Sequence, residues 1–178
     1  FAPANIFYSI NSSYDTPEGV VVGDLDGDGK PDIAVANAAS NTVGVFKNTS
    51  TIGSISMNNE ILFAVGSGPN AVAMGDIDGD NKLEVVATNA GSNTVSVLRN
   101  TSSTGTINFA PASNFTVASS PDDLFVGDID GDGKQDLAIT SKNSNNLSLL
   151  RNLSISGNIS FAPKQDFTTG TNPQAVAM

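Results

Sequence analysis

The sequence predicts an all-β protein made of β-propeller-type blades, each with about four antiparallel strands. One reason is an acidic nine-residue loop that occurs three times, each copy starting 52 residues after the one before. A second is the sequence between the loops, where short apolar runs alternate with clusters of Asn, Gly, Ser and Pro. A third is the lack of any helical apolar period over even three turns. Three full 52-residue repeats and part of a fourth account for the chain.

Four apolar runs in the first repeat predict its strands. Val20-Val-Val-Gly leads into the acidic loop, and Ile33-Ala-Val-Ala leaves it. Thr42-Val-Gly-Val-Phe alternates polar and apolar residues, as a half-buried strand does. Ile61-Leu-Phe-Ala-Val supplies a fourth strand before the next repeat begins. Four strands in roughly 50 residues is the size of one propeller blade.

The repeat extends beyond the loops, and this sets its boundaries. The segment that starts with Asn41-Thr-Val returns at Asn93 and, as Asn-Asn-Leu, at Asn145. Phe109-Ala-Pro likewise returns at Phe161. A partial fourth repeat follows the three full ones, and its strands complete either another blade or the sheet of a neighbouring subunit. The predicted units are residues 1–56, 57–108, 109–160 and 161–178.

Charge and composition favour an extracellular protein and exclude several partners. The net charge is −10, and twelve of the eighteen acidic residues lie in the three loops, so the remaining surface is nearly balanced. Eight scattered Lys and Arg residues form no basic patch for nucleic acid. No apolar stretch approaches the ~18 residues of a membrane-spanning helix, so membrane insertion is not expected. Without Cys there are no disulfides or thiolate metal sites, which favours calcium as the cross-linking element of a secreted protein.

Each acidic loop places carboxylates at alternate positions around a glycine-bearing turn, as chains that wrap a hard, oxygen-seeking cation do. Acids stand at positions one, three, five and nine, and a Lys at position seven offers its backbone carbonyl while its side chain points away. Position six needs a positive φ, which Gly29 and Gly133 adopt freely and Asn81 tolerates next best. The predicted metal ligands are Asp24, Asp26, Asp28, Lys30 and Asp32; Asp76, Asp78, Asp80, Lys82 and Glu84; and Asp128, Asp130, Asp132, Lys134 and Asp136.

Calcium is the cation that this ligand set favours. An EF-hand closes with a bidentate Glu at position twelve, where this chain has Val35, Ala87 and Ile139 inside predicted strands. Mg²⁺ demands a tight octahedron, and transition metals favour the His and Cys that the chain lacks. We therefore predict three structural Ca²⁺ ions, each tying the strand that enters a loop to the strand that leaves it. The alternative is an Asx-rich turn with solvated carboxylates, which three copies in register disfavour.

These residues resemble a known family. Asp24-Leu-Asp-Gly-Asp-Gly-Lys-Pro-Asp-Ile-Ala-Val-Ala-Asn37, followed by Asn41-Thr-Val-Gly-Val-Phe, is similar to the FG-GAP/VCBS-type repeat, which also occurs in integrin α-subunit propellers. The resemblance covers nearly the whole chain and implies a β-propeller, usually of about seven blades, in large secreted or surface proteins, many of them bacterial. It implies calcium ligation by the acids at positions one, three, five and nine and by the three lysine carbonyls. The second loop departs at Asn81 and Glu84, which predicts a slightly different site.

Three blades and a fraction do not close a propeller, which needs about four to eight. An isolated wedge of blades would leave two apolar flanks exposed. Three explanations stay open: the chain belongs to a longer propeller, two chains close one ring, or the repeats stack into a fibre through residues 161–178. The expected partners are thus further copies of the chain or the remainder of a propeller, with glycans or surface proteins as additional candidates. An RTX-type β-helix is disfavoured, because its repeat recurs about every nine residues.

An enzymatic function is not expected. The chain has no His, Cys or Trp, which removes Ser-His-Asp and Cys-His nucleophile systems. A paired-carboxylate glycosidase or a polysaccharide lyase would need a cleft acid or base unique to one blade. The acids outside the loops offer no convincing candidate; they are Asp15, Glu18, Glu60, Asp122, Asp123 and Asp166.

The sequence best fits a calcium-stabilised structural or adhesion module of a secreted, surface, matrix or filament protein. The alternative is a carbohydrate-binding propeller module, or a non-catalytic part of a secreted polysaccharide-degrading enzyme. Glycan binding needs aromatic platforms, yet the only tyrosines are Tyr8 and Tyr14, both in the first repeat. Phe63, Phe115 and Phe167 recur at one repeat position and are better explained as core.

Asn-x-Ser/Thr triplets recur in the chain. Asn48, Asn100 and Asn152 begin one at the same place in every repeat. Our interpretation is that these asparagines are polar turn residues that cap strands; the alternative is glycosylation of an extracellular surface. Triplets at less regular places begin at Asn11, Asn114, Asn146 and Asn158.

Overall fold

The structure, a computed structural model, describes residues 16–177. Twelve strands in three sheets make up this part of the chain, which confirms the predicted all-β class. Between residues 16 and 177 there is no helix long and apolar enough to cross a membrane. Tyr8, Asn11, Tyr14 and Asp15 lie outside the described residues.

Each sheet contains four antiparallel strands that pair in chain order, and we name the sheets the first, second and third blade. The first blade consists of β1 (Pro17–Gly23), β2 (Asp32–Asn37), β3 (Thr42–Phe46) and β4 (Ile61–Ala64). The second consists of β5 (Pro69–Gly75), β6 (Glu84–Asn89), β7 (Thr94–Leu98) and β8 (Ser113–Thr116). The third consists of β9 (Pro121–Gly127), β10 (Asp136–Ser141), β11 (Asn146–Leu150) and β12 (Gln165–Thr168). The four predicted apolar runs therefore lie in the four strands of the first blade, with only Val65 outside β4. The fourth strand of a blade comes from the start of the next predicted unit: β4 follows residue 56, and β12 follows residue 160 and completes the third blade instead of another blade.

Neighbouring blades pack face to face and bury the core between them. Side chains alternate along a strand, so Val85 and Ala87 of β6 face the first blade, whereas Val86 faces the third. The first blade contributes Ala34, Val43 and Val45 to one apolar cluster, and the third contributes Leu137, Ile139 and Leu150 to the other. The second blade is thus buried on both faces.

An aromatic pair closes each junction between blades. Phe63 of β4 meets Phe109 edge to face, with ring centroids 4.9 Å apart and planes at 82°. Phe115 of β8 meets Phe161 in the same way, at 4.9 Å and 83°. These two contacts support the prediction that the recurring phenylalanines belong to the core. Phe167, at the equivalent place in β12, is 48% exposed.

An asparagine in the left-handed region fixes the path from one blade to the next. Asn41 has φ 58°, and Asn93 and Asn145 have φ 55° and 53°. The side-chain oxygen of Asn41 accepts a 2.8 Å hydrogen bond from the amide of Gly68, just before β5. Asn93 and Asn145 accept equivalent 2.8 Å bonds from residues 120 and 172. The chain therefore leaves the third blade along the path that it follows out of the first two.

Candidate metal centres

Each acidic loop connects the first and second strands of its blade and winds around the carboxylate at position one. Oδ1 of Asp24 accepts hydrogen bonds from the amides of Gly27 and Asp28, and Oδ2 accepts one from Gly29, at 2.8–3.3 Å. Asp76 and Asp128 accept the equivalent bonds in their loops. Positive φ at position six makes this tight winding possible, as predicted from the sequence. The φ values are 83° for Gly29, 67° for Asn81 and 85° for Gly133.

The acids at positions three and five form local turns with the loop backbone. Asp78 accepts the amide of Asp80 at 3.2 Å, and Asp80 accepts the amide of Lys82 at 2.9 Å. The other two loops repeat both contacts. Nζ of Lys82 leaves its loop and donates to the carbonyl of Ser102 at 2.8 Å. Lys134 makes the matching 2.8 Å contact with Ser154, so neither of these ammonium groups faces its own loop.

The acid at position nine is buried and joins both ends of the loop. Oδ2 of Asp32 accepts the amide of Leu25 at 3.0 Å, and Oδ1 accepts the amide of Asn48 at 2.8 Å. Asp136 is held in the same way by Ile129 and Asn152. Each carboxylate oxygen has a second lone pair. These buried oxygens can therefore hold the backbone and still serve as metal ligands.

Burial of Asp32 and Glu84 at position nine disfavours their charged form. Desolvation raises the pKa of Asp32 despite its two backbone hydrogen bonds. Desolvation likewise raises the pKa of Glu84 to about 7, with the charges of Asp78 and Asp80 adding to the effect. A nearby cation would reverse this effect by stabilising the carboxylates.

The structure brings together three acids in each loop, those at positions one, three and nine. One carboxylate oxygen from each lies within 4.8 Å of the others. The position-five acids and the lysine carbonyls are outside this cluster of three, and their part in ligation stays a prediction. The clusters are Asp24, Asp26 and Asp32; Asp76, Asp78 and Glu84; and Asp128, Asp130 and Asp136.

The donor set of each cluster fits a calcium ion. Like charges 4.8 Å apart repel by about 3 kcal/mol per pair at an effective dielectric constant of ~20. Three carboxylates so close together, two of them buried in the first and second clusters and one in the third, are stabilised by a divalent cation between them. Hard oxygen donors in a flexible loop are the ligands that Ca²⁺ prefers.

The first loop contains a basic residue that motif spacing did not reveal. Nζ of Lys47, the residue just after β3, donates to Oδ2 of Asp26 and lies 3.0 Å from Oδ2 of Asp28. These bonds raise the pKa of Lys47, the hydrogen bond to Asp26 contributing most. The hydrogen bond from Lys47 also lowers the pKa of Asp28.

Two of the Asn-x-Ser/Thr asparagines, Asn100 and Asn152, connect neighbouring blades. Nδ2 of Asn100 donates to the carbonyl of Leu25 in the first loop and to that of Leu83 in its own blade, both at 2.9 Å. Asn152 repeats this one blade later, bonding to Ile77 at 2.7 Å. Asn100 and Asn152 are 1% and 0% exposed. A glycan cannot be attached to these amide nitrogens in the folded protein, which disfavours the glycosylation alternative at both sites.

Four of the acids outside the loops have structural contacts, and Glu18 is exposed on β1. Asp122 forms a 2.8 Å ion pair with Lys142, and Asp123 accepts the amide of Val176 at 3.0 Å. Asp166 accepts the hydroxyl of Ser148 at 2.7 Å. Glu60 is 2% exposed, and its Oε1 accepts the side-chain amide of Asn37 at 2.8 Å. Its burial was not apparent from the sequence.

A solved structure of similar fold is that of a catalytically inactive variant of virginiamycin B lyase from Staphylococcus aureus with quinupristin. The TM-score is 0.54 at 15% sequence identity, and the match covers 92% of this chain. It covers 45% of the lyase chain, so the present chain spans less than half of that protein. At this identity the likeness shows the fold alone.

Among curated proteins, none matches this chain. The sequence matches the FG-GAP-like repeat over residues 24–87, 76–139 and 128–178, which includes all three acidic loops. With its three sheets of four antiparallel strands, the chain is a repeat module of a β-propeller-like domain and belongs to the FG-GAP-like repeat family.

Proposed function

We propose that this chain is a calcium-stabilised, non-catalytic repeat module of a secreted or surface-displayed structural or adhesion protein. The observation that carries the proposal is the threefold repetition of one cluster, with three carboxylates within 4.8 Å in every acidic loop. FG-GAP-like repeats often bind calcium, and the loops of this chain supply oxygen ligands only. Each ion would neutralise two charges of a cluster that otherwise repels itself.

The calcium ions act as cross-links in this proposal. The position-nine acid belongs to the second strand of its blade, whereas the acids at positions one and three follow the first strand. An ion held by all three therefore fastens two strands at the end where the loop leaves the sheet. In a chain without cysteine, such an ion takes the place of a disulfide bond between the two strands.

A non-catalytic role is supported by the contacts of the acids. FG-GAP-like repeats are generally non-catalytic. Glu60 is an acid found in one blade only, but it is buried against Asn37 and Gly44 and has no access to a substrate. Asp122, Asp123 and Asp166 are held by a lysine, a backbone amide and a hydroxyl.

Secretion or surface display is part of the proposal because FG-GAP-like repeats are typical of extracellular and surface proteins. Calcium is also the cation that an extracellular module can rely on, since its low-affinity sites work at millimolar concentrations. The acidic, lysine-poor surface favours solubility and offers no basic patch that would bind nucleic acid.

The outer faces support packing against further repeats, from a longer propeller or from another copy of the chain. Val95 and Val97 of the second blade are fully buried against the third blade. Leu147 and Leu149 stand at the equivalent places in the third blade and are half-buried. The position-three acids of the loops show the same difference in burial between the second and third blades: Asp78 is buried, whereas Asp130 is exposed. One more blade would cover this face as the third blade covers the second.

Isothermal titration calorimetry of the purified chain tests the metal-binding function. We expect three calcium ions per chain, and we expect Asp128→Asn to remove one of them. Asp166→Asn is the matched control, since it removes an acid outside the loops and should leave the stoichiometry unchanged. Binding of no calcium, or equal losses in both variants, would refute the proposal.

A further inference from the structure

The first acidic loop differs from the other two in what its position-three carboxylate contacts. Oδ2 of Asp26 accepts a hydrogen bond from the ammonium of Lys47. Oδ2 of Asp78, its equivalent, accepts the backbone amide of Gly157 in the next blade at 2.8 Å. The side chain of Asp26 is fully buried and that of Lys47 is 14% exposed, so little solvent separates the pair.

Lys47 also reaches a second acid of the same loop. Its Nζ lies 3.0 Å from Oδ2 of Asp28, the acid at position five. The ammonium is thus bonded to the acids at positions three and five, two of the predicted ligands. It stands beside the cluster that Asp26 forms with Asp24 and Asp32.

The other two loops lack this internal cation. Arg99 and Arg151 occupy the positions that correspond to Lys47. Within residues 16–177, neither guanidinium forms an ion pair with a carboxylate. Lys82 and Lys134 point to carbonyls away from their own loops. Only the first cluster therefore has part of its charge balanced by the chain itself, as far as the described residues show.

We propose that Lys47 is a tethered cation that balances the first acidic loop without calcium and competes with calcium for its carboxylates. This inference rests on the proposed function of the loops. A calcium ion that binds the first loop must displace the ammonium from Asp26 and Asp28, so this site is the weakest of the three. In return, the first blade keeps its loop ordered when calcium is scarce.

The first loop borders a cavity that Lys47 does not line. This cavity, of about 450 Å³, lies between the first loop and the second blade, and Asp24, Asp26 and Ser102 are among its lining residues. Calcium can enter from this side while the ammonium withdraws toward β3. The exchange needs only a rotation of the flexible lysine side chain.

Calcium titration of Lys47→Met tests the competition. We expect the weakest binding step to tighten by about tenfold, the effect of removing one competing charge contact. The Asp24→Asn substitution, made in the otherwise wild-type chain, shows whether the weakest step belongs to the first loop, because it should then abolish that step. Arg99→Met is the matched control at the same position of the second blade and should alter no binding step.

Thermal unfolding in excess chelator is the second readout, and it does not involve calcium. Lys47→Met leaves the buried carboxylate of Asp26 without its counter-charge, so we expect the midpoint to fall by about 4 °C relative to Arg99→Met. Lys47→Gln, which keeps a hydrogen-bond donor but loses the charge, should also lower the midpoint.

The two readouts separate the possible failures. If Lys47→Met matches Arg99→Met in either readout while the wild-type chain binds calcium, the tethered-cation inference is wrong and the proposed function stands. If the wild-type chain binds no calcium, the proposed function itself fails and the inference fails with it. A tighter weakest step together with a lower midpoint in chelator supports both.

Discussion

The side-chain amide of Asn152 donates a 2.7 Å hydrogen bond to the carbonyl of Ile77, which lies 75 positions earlier in the acidic loop of the preceding blade. Its second amide hydrogen is donated to the carbonyl of Gln135, in the same blade as Asn152, at 2.8 Å. Asn100 connects to Leu25 and Leu83 in the same way. One buried asparagine at each of the two junctions therefore ties the first and the second predicted calcium loop to the next blade, so loop order and blade packing depend on each other.

Removing this connector should destabilise the protein strongly. Asn152→Ala leaves the buried carbonyl of Ile77 and the amide of Ser154 without their partners. We expect a loss of about 3 kcal/mol in the free energy of unfolding, measured by urea denaturation. Asn158→Ala is the control, because Asn158 is exposed, and its effect should stay within about 0.5 kcal/mol. Equal effects of the two substitutions would show that the connector has no special role.

The same geometry predicts which asparagines can be glycosylated. After secretion from a eukaryotic host, glycopeptide mass spectrometry should find Asn100 and Asn152 unmodified, because both are buried and both amide hydrogens are bonded. Asn114 and Asn158 also begin Asn-x-Ser/Thr triplets and are exposed, so any modification should concentrate there. A glycan on Asn152 in correctly folded protein is incompatible with the structure.

Equivalent phenylalanines should differ in their contribution to stability. Phe115 packs edge to face on Phe161 across a blade junction, and its removal by Phe115→Ala should cost about 3 kcal/mol. Phe167 occupies the same repeat position but is 48% exposed, so Phe167→Ala should cost about 1 kcal/mol. Chemical denaturation of both variants measures the difference. A larger loss for Phe167→Ala would mean that the outer face of the third blade is covered in solution.

The buried acid of the second loop predicts a pH dependence that calcium removes. The pKa of Glu84 is raised by burial from 4.5 to about 7 in the folded chain, so between these values the folded state holds a proton that the unfolded state has lost. Stability in chelator should therefore fall as pH rises from 4.5 to about 7, by up to about 3 kcal/mol, and then level off.

Urea denaturation across this pH range, with chelator and with calcium, measures the effect. Calcium should flatten the slope because a bound cation stabilises the ionised carboxylate. Glu84→Gln is the control: it cannot titrate and should lose most of the slope in chelator. If wild type and Glu84→Gln have the same slope, the protonation of Glu84 is not its source.

Spacing in the sequence was enough to predict the repeats, the strands of the first blade and the loop backbone. These features depend on local rules, namely period-two alternation, turn composition and the need for a positive φ at Gly29, Asn81 and Gly133. The clustering of acids at positions one, three and nine follows from the same loop geometry.

Features that depend on contacts between distant segments could not be predicted in this way. Lys47 lies 21 positions from Asp26, and only the fold brings its ammonium into the first loop. Glu60 is buried beside Gly44, where a Cβ atom would come within 1.7 Å of its carboxylate. The other repeats have Ser96 and Ser148 in place of Gly44, so the space for Glu60 exists in one blade only.

Thermal unfolding of the purified chain in millimolar calcium, in millimolar magnesium and in excess chelator tests the central claim most directly. An ion that binds only the folded state raises the midpoint by mass action. The account predicts a clearly higher midpoint in calcium than in chelator, with magnesium close to chelator. Three superimposable curves would contradict it, because the acidic loops would then be solvated turns and not metal sites.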